Sequence, residues 1–107
     1  MEWKLRLIDY LDNKLKFERE IINGEKKGKE YNSGILRYEG EYLNLKKNGK
    51  GKEYYKNGKL LFEGEYLNGI RNGKGKEYYK NNILEYDGEY LNGQKMEKEK
   101  NIFIMEN

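Results

Sequence analysis

The chain has 107 residues, a net charge of +3, and 38% charged against 36% hydrophobic residues, with no His, Cys or Pro. Lacking cysteine it has no disulfide framework or thiolate metal site, and lacking histidine it has no ready general base or common metal ligand. Eleven tyrosines and a clear internal period set it apart from disordered chains of similar charge.

The opening stretch, MEWKLRLIDYLDNK, is interrupted by charge every few residues. It fits neither a signal peptide nor a membrane span, so a cytoplasmic protein is expected. Within it, YLDNKLKF ending at Phe17 matches YYKNGKLLF ending at Phe62, which makes residues 1–16 an amino-terminal half-unit and cap. The first full unit, 17–37, begins FEREIINGEKKGKEYNSGILR. The second, 38–61, reads YEGEYLNLKKNGKGKEYYKNGKLL, and the third, 62–85, reads FEGEYLNGIRNGKGKEYYKNNILE. Residues 86–107 start again as YDGEYLNGQ and then depart from the pattern, as a partial unit and carboxyl-terminal cap. The period is 24 residues, shortened to 21 in the first unit. Such a repeat signals an array in which each unit buries its face only against its neighbours.

Pairing follows from the turns. Asn57-Gly58 between two alternating runs predicts a hairpin closed by a type I′ turn, in which both central residues take positive φ. Placing that turn sets Tyr54 against Leu61, Glu53 against Phe62, Lys52 against Glu63, Gly51 against Gly64 and Lys50 against Glu65. The same construction about Asn81-Asn82 sets Lys76 against Asp87, Gly75 against Gly88 and Lys74 against Glu89. Opposite charges meet in both hairpins, each pair contributing a few tenths of a kcal/mol up to about 1 kcal/mol. Side-chain alternation then puts Leu60, Phe62, Gly64 and Tyr66 on one face with Tyr55, Glu53 and Gly51. The opposite face carries Leu61, Glu63, Glu65 and Leu67 with Tyr54, Lys52 and Lys50, a ladder of charge. The segments LNLKKNGK and LNGIRNGK are expected to be longer Asn- and Gly-rich connections.

The pattern Tyr/Phe-x-Gly-x-Tyr followed by Gly-x-Gly, carried by Tyr38, Gly40, Tyr42, Gly49 and Gly51 and again by Phe62, Gly64, Tyr66, Gly73 and Gly75, resembles the MORN repeat (membrane occupation and recognition nexus). The trailing EYYKNGKL is similar to a variant found in bacterial and protist proteins. The resemblance covers about residues 17–94 and implies an all-β, elongated, single-layer antiparallel sheet of stacked β-hairpins. In it Gly40, Gly51, Gly64, Gly75, Gly88, Tyr42, Tyr66, Tyr90, Phe62 and Tyr86 are structural repeat positions. Arg19 and Ile21 stand where Gly64 and Tyr66 stand later, Leu45 replaces a glycine, and Glu97 and Glu99 replace Gly73 and Gly75. These departures mark both ends as caps.

Signs of chemistry are few. Gly69 to Lys76 lacks the ending and spacing of a phosphate loop. Glu30, Glu53 and Glu77 recur with the unit and have no nucleophile beside them, so no catalysis, cofactor or metal is expected. The unit from Tyr38 to Leu61 has six lysines against three glutamates. Lys46, Lys47, Lys50, Lys52 and Lys56 there are candidates for weak contact with anionic lipid, at about 1 kcal/mol per basic residue near a charged membrane. The net charge is too small for a nucleic-acid binder, and none is expected. Tyr31, Tyr54 and Tyr78, with Leu61 and Leu67, are the candidate partner-binding row, because tyrosine offers large contact area with few rotatable bonds. The expected function is non-catalytic binding of another protein as a scaffold. Alternatives are an antitoxin or immunity role, which the resemblance suggests, peripheral membrane attachment, and homo-oligomerisation through sheet edges.

Overall fold

The structure, a computed structural model, describes residues 4–11, 14–22 and 27–97. The carboxyl-terminal cap expected over 86–107 is thus followed to Glu97, and the position of Glu99 lies outside the described residues. Among the described residues nine strands form one antiparallel sheet whose spatial order is their order in the chain. They are β1 (Lys4–Leu11), β2 (Lys14–Ile22), β3 (Lys27–Asn32), β4 (Ile35–Leu43), β5 (Lys46–Tyr54), β6 (Leu60–Leu67), β7 (Ile70–Tyr78), β8 (Leu84–Leu91) and β9 (Gln94–Met96). Among the described residues no second layer covers either face, and they build the expected single-layer array of hairpins.

The expected register holds over the charged stretch: Lys50 faces Glu65, Gly51 faces Gly64 and Lys52 faces Glu63. β7 and β8 repeat it through Lys74–Glu89, Gly75–Gly88 and Lys76–Asp87. The turn between β5 and β6 is another matter. Only Gly58 takes positive φ, at 87°, and Asn57 does not. The Gly58 amide donates to the Tyr55 carbonyl at 3.0 Å, the Tyr55 amide to the Lys59 carbonyl at 2.9 Å, and the Lys59 amide to Asn57 Oδ1 at 2.9 Å. This is a type I turn followed by one left-handed residue, held by the asparagine side chain, and it is one residue longer than the expected I′ turn. A bulge absorbs the difference. Tyr54 faces Leu60 while Glu53 faces Phe62, which leaves Leu61 unopposed and returns the strands to register.

The two segments expected to be longer connections are instead tight turns leading into strands. Asn44-Leu45, Asn68-Gly69 and Asn92-Gly93 all take positive φ at both positions, as a two-residue I′ turn requires. The surplus residues sit inside the following strand. Between β6 and β7, Tyr66 faces Arg71 and Gly64 faces Gly75, so Asn72, Gly73 and Lys74 together face Glu65. Gly73 holds φ 104°, and a Cβ there would overlap the Glu65 carboxylate, whose Oε1 accepts the Lys74 amide at 2.9 Å. Glu41, Gly49 and Lys50 repeat the arrangement 24 residues earlier.

The shorter first unit has a physical counterpart. β2 and β3 pair without a register shift, and β3 and β4 are joined by a two-residue turn at Ser33-Gly34. A row of paired glycines crosses the sheet through Gly28, Gly40, Gly51, Gly64, Gly75 and Gly88. It stops at β2, where Ile21 faces Gly28.

Candidate functional site

One face of the sheet carries the core, a zigzag of six rings over the glycine row. Tyr42, Tyr38, Tyr66, Phe62, Tyr90 and Tyr86 meet edge to face, with successive centroids 5.1–5.6 Å apart. Tyr38, Tyr42, Phe62, Tyr66 and Tyr90 are buried, and Phe62 is fully so. The glycines make room for these rings: a Cβ on Gly51 would overlap Tyr38, and one on Gly75 would lie 2.5 Å from Phe62 Cε1. Edge-to-face pairs contribute about 0.5–1.5 kcal/mol each beyond the area they bury.

Cations brace the same face at 24-residue intervals. Lys47 Nζ sits 4.6 Å from the Tyr38 centroid, Arg71 Cζ sits 4.1 Å from that of Phe62, and Lys95 Nζ sits 5.3 Å from that of Tyr86. Each also reaches carboxylates. Arg71 bridges Glu53 at 2.9 Å and Glu77 at 3.0 Å, Lys47 lies 3.8 Å from Glu30, and Lys95 lies 3.6 Å from Glu77. The recurring glutamates in turn accept the recurring tyrosines: Tyr42 donates to Glu30 and Tyr90 to Glu77, both at 2.6 Å, and Tyr66 donates to Glu53. Burial would raise the Glu53 carboxyl, but the hydrogen bonds from Arg71 and Tyr66, with the charges of Arg71 and Lys47, hold it below its ordinary value. Burial, then the neighbouring carboxylates, push the Tyr38, Tyr66 and Tyr90 hydroxyls well above theirs. A carboxylate accepting a tyrosine and an arginine at once is a structural acceptor, poorly suited to acid–base chemistry. Among the described residues there is also no cluster of side chains suited to a metal ion.

The opposite face carries the charge ladder and a groove of about 850 Å³ running from β3 to β8. Each strand contributes two like charges astride a glycine: Lys27 and Lys29, Glu39 and Glu41, Lys50 and Lys52, Glu63 and Glu65, Lys74 and Lys76, then Asp87 and Glu89. The sign therefore reverses at every strand and agrees across the groove. No lysine and carboxylate of these bands closes to an ion pair among the described residues. The two kinds of band differ in how their side chains are held. Tyr54 donates to Glu39 and Tyr78 to Glu63, while Glu41 and Glu65 accept strand amides, so the half-buried carboxylates are held in place. Lys50, Lys52, Lys74 and Lys76 are exposed. Burial and the Glu39 hydrogen bond push the Tyr54 hydroxyl up to about 12.

These facts locate the candidates drawn from the sequence. Tyr54 and Tyr78 stand on the ladder face with their hydroxyls engaged, and Tyr31 occupies the same register position. Leu61, shifted by its bulge, packs against the aromatic core instead of joining them. Leu67 is half exposed at the far margin, paired with Ile70 beside the Asn68-Gly69 turn. The five expected binding residues thus do not form one row. The five lysines separate as well: Lys47 braces the aromatic face, Lys50 and Lys52 line the groove, Lys46 pairs with Leu43 beside a turn, and Lys56 lies in the hairpin loop. Reading the sequence missed the bracing role of Lys47, Arg71 and Lys95, although their 24-residue spacing and fixed offset from Tyr42, Tyr66 and Tyr90 signal it.

The MORN repeat profile matches residues 38–59, 62–83 and 86–98, more than half of the chain. The chain belongs to the MORN repeat family. Each of the three matched stretches opens on an aromatic pair with a glycine of the row between its members, and MORN repeats are in general interaction modules. No curated protein and no solved structure matches the chain.

Proposed function

We propose that this MORN array is a non-catalytic interaction module that binds a protein partner through the groove on its ladder face. The observation that carries this reading is the contrast in satisfaction between the two faces. The aromatic face uses its hydroxyls, carboxylates and cations on one another, whereas the ladder face presents ordered carboxylates and exposed lysines with no ion pair between them. The lysines are available to a partner without first breaking an internal contact, and each carboxylate keeps acceptor sites beyond the hydroxyl or amide it already accepts.

The banding favours a protein over a membrane or a nucleic acid. Strands lie about 4.8 Å apart, so the sign pattern has a period of about 9.6 Å, and its field falls e-fold in about 1.5 Å. That is far shorter than the screening length of about 8 Å at physiological salt. A surface of one sign therefore feels almost no attraction, while a chain seated in the groove feels each band separately.

A photo-crosslinking amino acid at position 52, in the groove, and another at position 57, in the hairpin loop, test the reading in extract of the source cells. A discrete protein adduct from position 52 alone is expected, with no flotation on phosphatidylserine vesicles. Flotation without an adduct would favour the lipid alternative and overturn the proposal.

A further inference from the structure

We infer that the groove takes an extended polypeptide segment with a basic residue at every third position and acidic residues between; this rests on the interaction-module reading and specifies its ligand. Three observations converge on that chemistry.

The first is shape. From β3 to β8 the groove crosses five strand spacings of about 4.8 Å, or about 24 Å. Its walls are the two like-charged residues of each strand and its floor is the glycine between them, a channel that an extended chain of about seven residues spans at about 3.3 Å per residue.

The second is spacing. The ordered acidic bands of β4 and β6 lie two strands apart, about 9.6 Å. Three residues of a β-strand advance about 9.9 Å, and one three-residue turn of polyproline II advances about 9.3 Å. Both bracket the band spacing, whereas a helix would need about 6.4 residues, which is not a whole number of turns.

The third is the like-signed pairing within a band. In a β-strand, residues three apart point to opposite sides. Glu39 and Glu41 stand on opposite banks of the groove, as do Glu63 and Glu65, so a basic side chain leaning either way meets a carboxylate. Those carboxylates are held in place while the intervening lysines are exposed. The acidic bands therefore set the register, and the Lys50–Lys52 band adapts to whichever of the two intervening ligand positions is acidic.

Fluorescence anisotropy of the full chain with labelled nonapeptides tests this. The probe is three tandem copies of Lys-Glu-Ser, and the control holds the same nine residues in three blocks, with nona-lysine as a third peptide. The tandem peptide is expected to bind about tenfold more tightly than the block peptide, and nona-lysine no better than the block. The double variant Glu39→Gln/Glu63→Gln keeps an acceptor for Tyr54 and Tyr78, and should lose that tenfold preference without a change in melting temperature. Equal binding of tandem and block peptides would overturn the spacing, and strongest binding by nona-lysine would overturn the banding. If no peptide binds while position 52 still forms its protein adduct, the ligand chemistry is wrong and the interaction module stands. If the adduct is absent too, the module reading falls with it.

Discussion

Lys47 and Lys52 lie five residues apart on β5 and carry the same charge, yet they are built into the molecule differently. Lys47 points into the aromatic face, above the Tyr38 ring and beside Glu30, with 22% of its side chain exposed. Lys52 points the other way, opposite Glu39 and Glu63 but ion-paired to neither. What separates them is parity along the strand, and everything on their two faces follows suit. One face pairs its cations with its carboxylates, and the other leaves its lysines exposed and unpaired with the carboxylates opposite them. A single-layer sheet has no second layer to pack against, so its core has to be assembled from one face alone. Here rings laid over glycines, with cations above the rings, perform that task.

Four changes would break or sharpen the contrast. The largest effect is expected for Phe62→Ala, which removes the fully buried ring that meets Tyr66 and Tyr90 edge to face and lies under Arg71. A loss of about 3–5 kcal/mol is expected in urea unfolding, a large share of a small domain's stability. Gly75→Ala comes next, since its methyl group would press into Phe62; about 1–3 kcal/mol should be lost.

Glu53→Gln should cost about 1–2 kcal/mol at neutral pH by weakening the Arg71 bridge. It should also flatten the acid limb of stability. The Glu53 carboxyl lies below its ordinary 4.5 in the folded state, so its contribution is complete above about that pH and is lost as pH falls through the lower folded value. At the alkaline end the sign reverses. Tyr54, Tyr66 and Tyr90 hold their protons more tightly folded than unfolded, so stability should decline as pH rises past about 10. Circular dichroism of the sheet at stepped alkaline pH checks this.

The smallest effect is expected on the ladder face. Lys52→Gln removes an exposed cation that makes no ion pair with Glu39 or Glu63 opposite it, and should change stability by no more than about 0.5 kcal/mol. A loss comparable to that of Glu53→Gln would mean that the ladder holds the fold as well.

Much of this division was legible in the residues, because cross-strand charges and paired glycines restrict the register of each hairpin. The exceptions trace to bulges. The three-residue turn sets Leu60 opposite Tyr54 and the bulge at Leu61 restores the register, so Leu61 lies against the core when simple alternation puts it on the ladder. The wider bulge opposite Glu65 adds two residues and preserves parity, so Arg71 and Glu77, six apart, share a face, as do Lys47 and Glu53. Taking LNLKKNGK and LNGIRNGK for loops hid that relation, and with it the bracing cations. The groove was hidden for a different reason: like charges astride each glycine are plain in KGK and EGE, but their alignment into bands requires all six strands at once.

Acetylation rates of individual lysines on the native chain, read by mass spectrometry, test the two-face account most directly. Lys52 and Lys76 should react several-fold faster than Lys47, which is held above Tyr38 and beside Glu30. Unfolding in urea should bring the rates together. Equal rates for Lys47 and Lys52 in the folded protein would contradict the division of the sheet into a closed face and an open one.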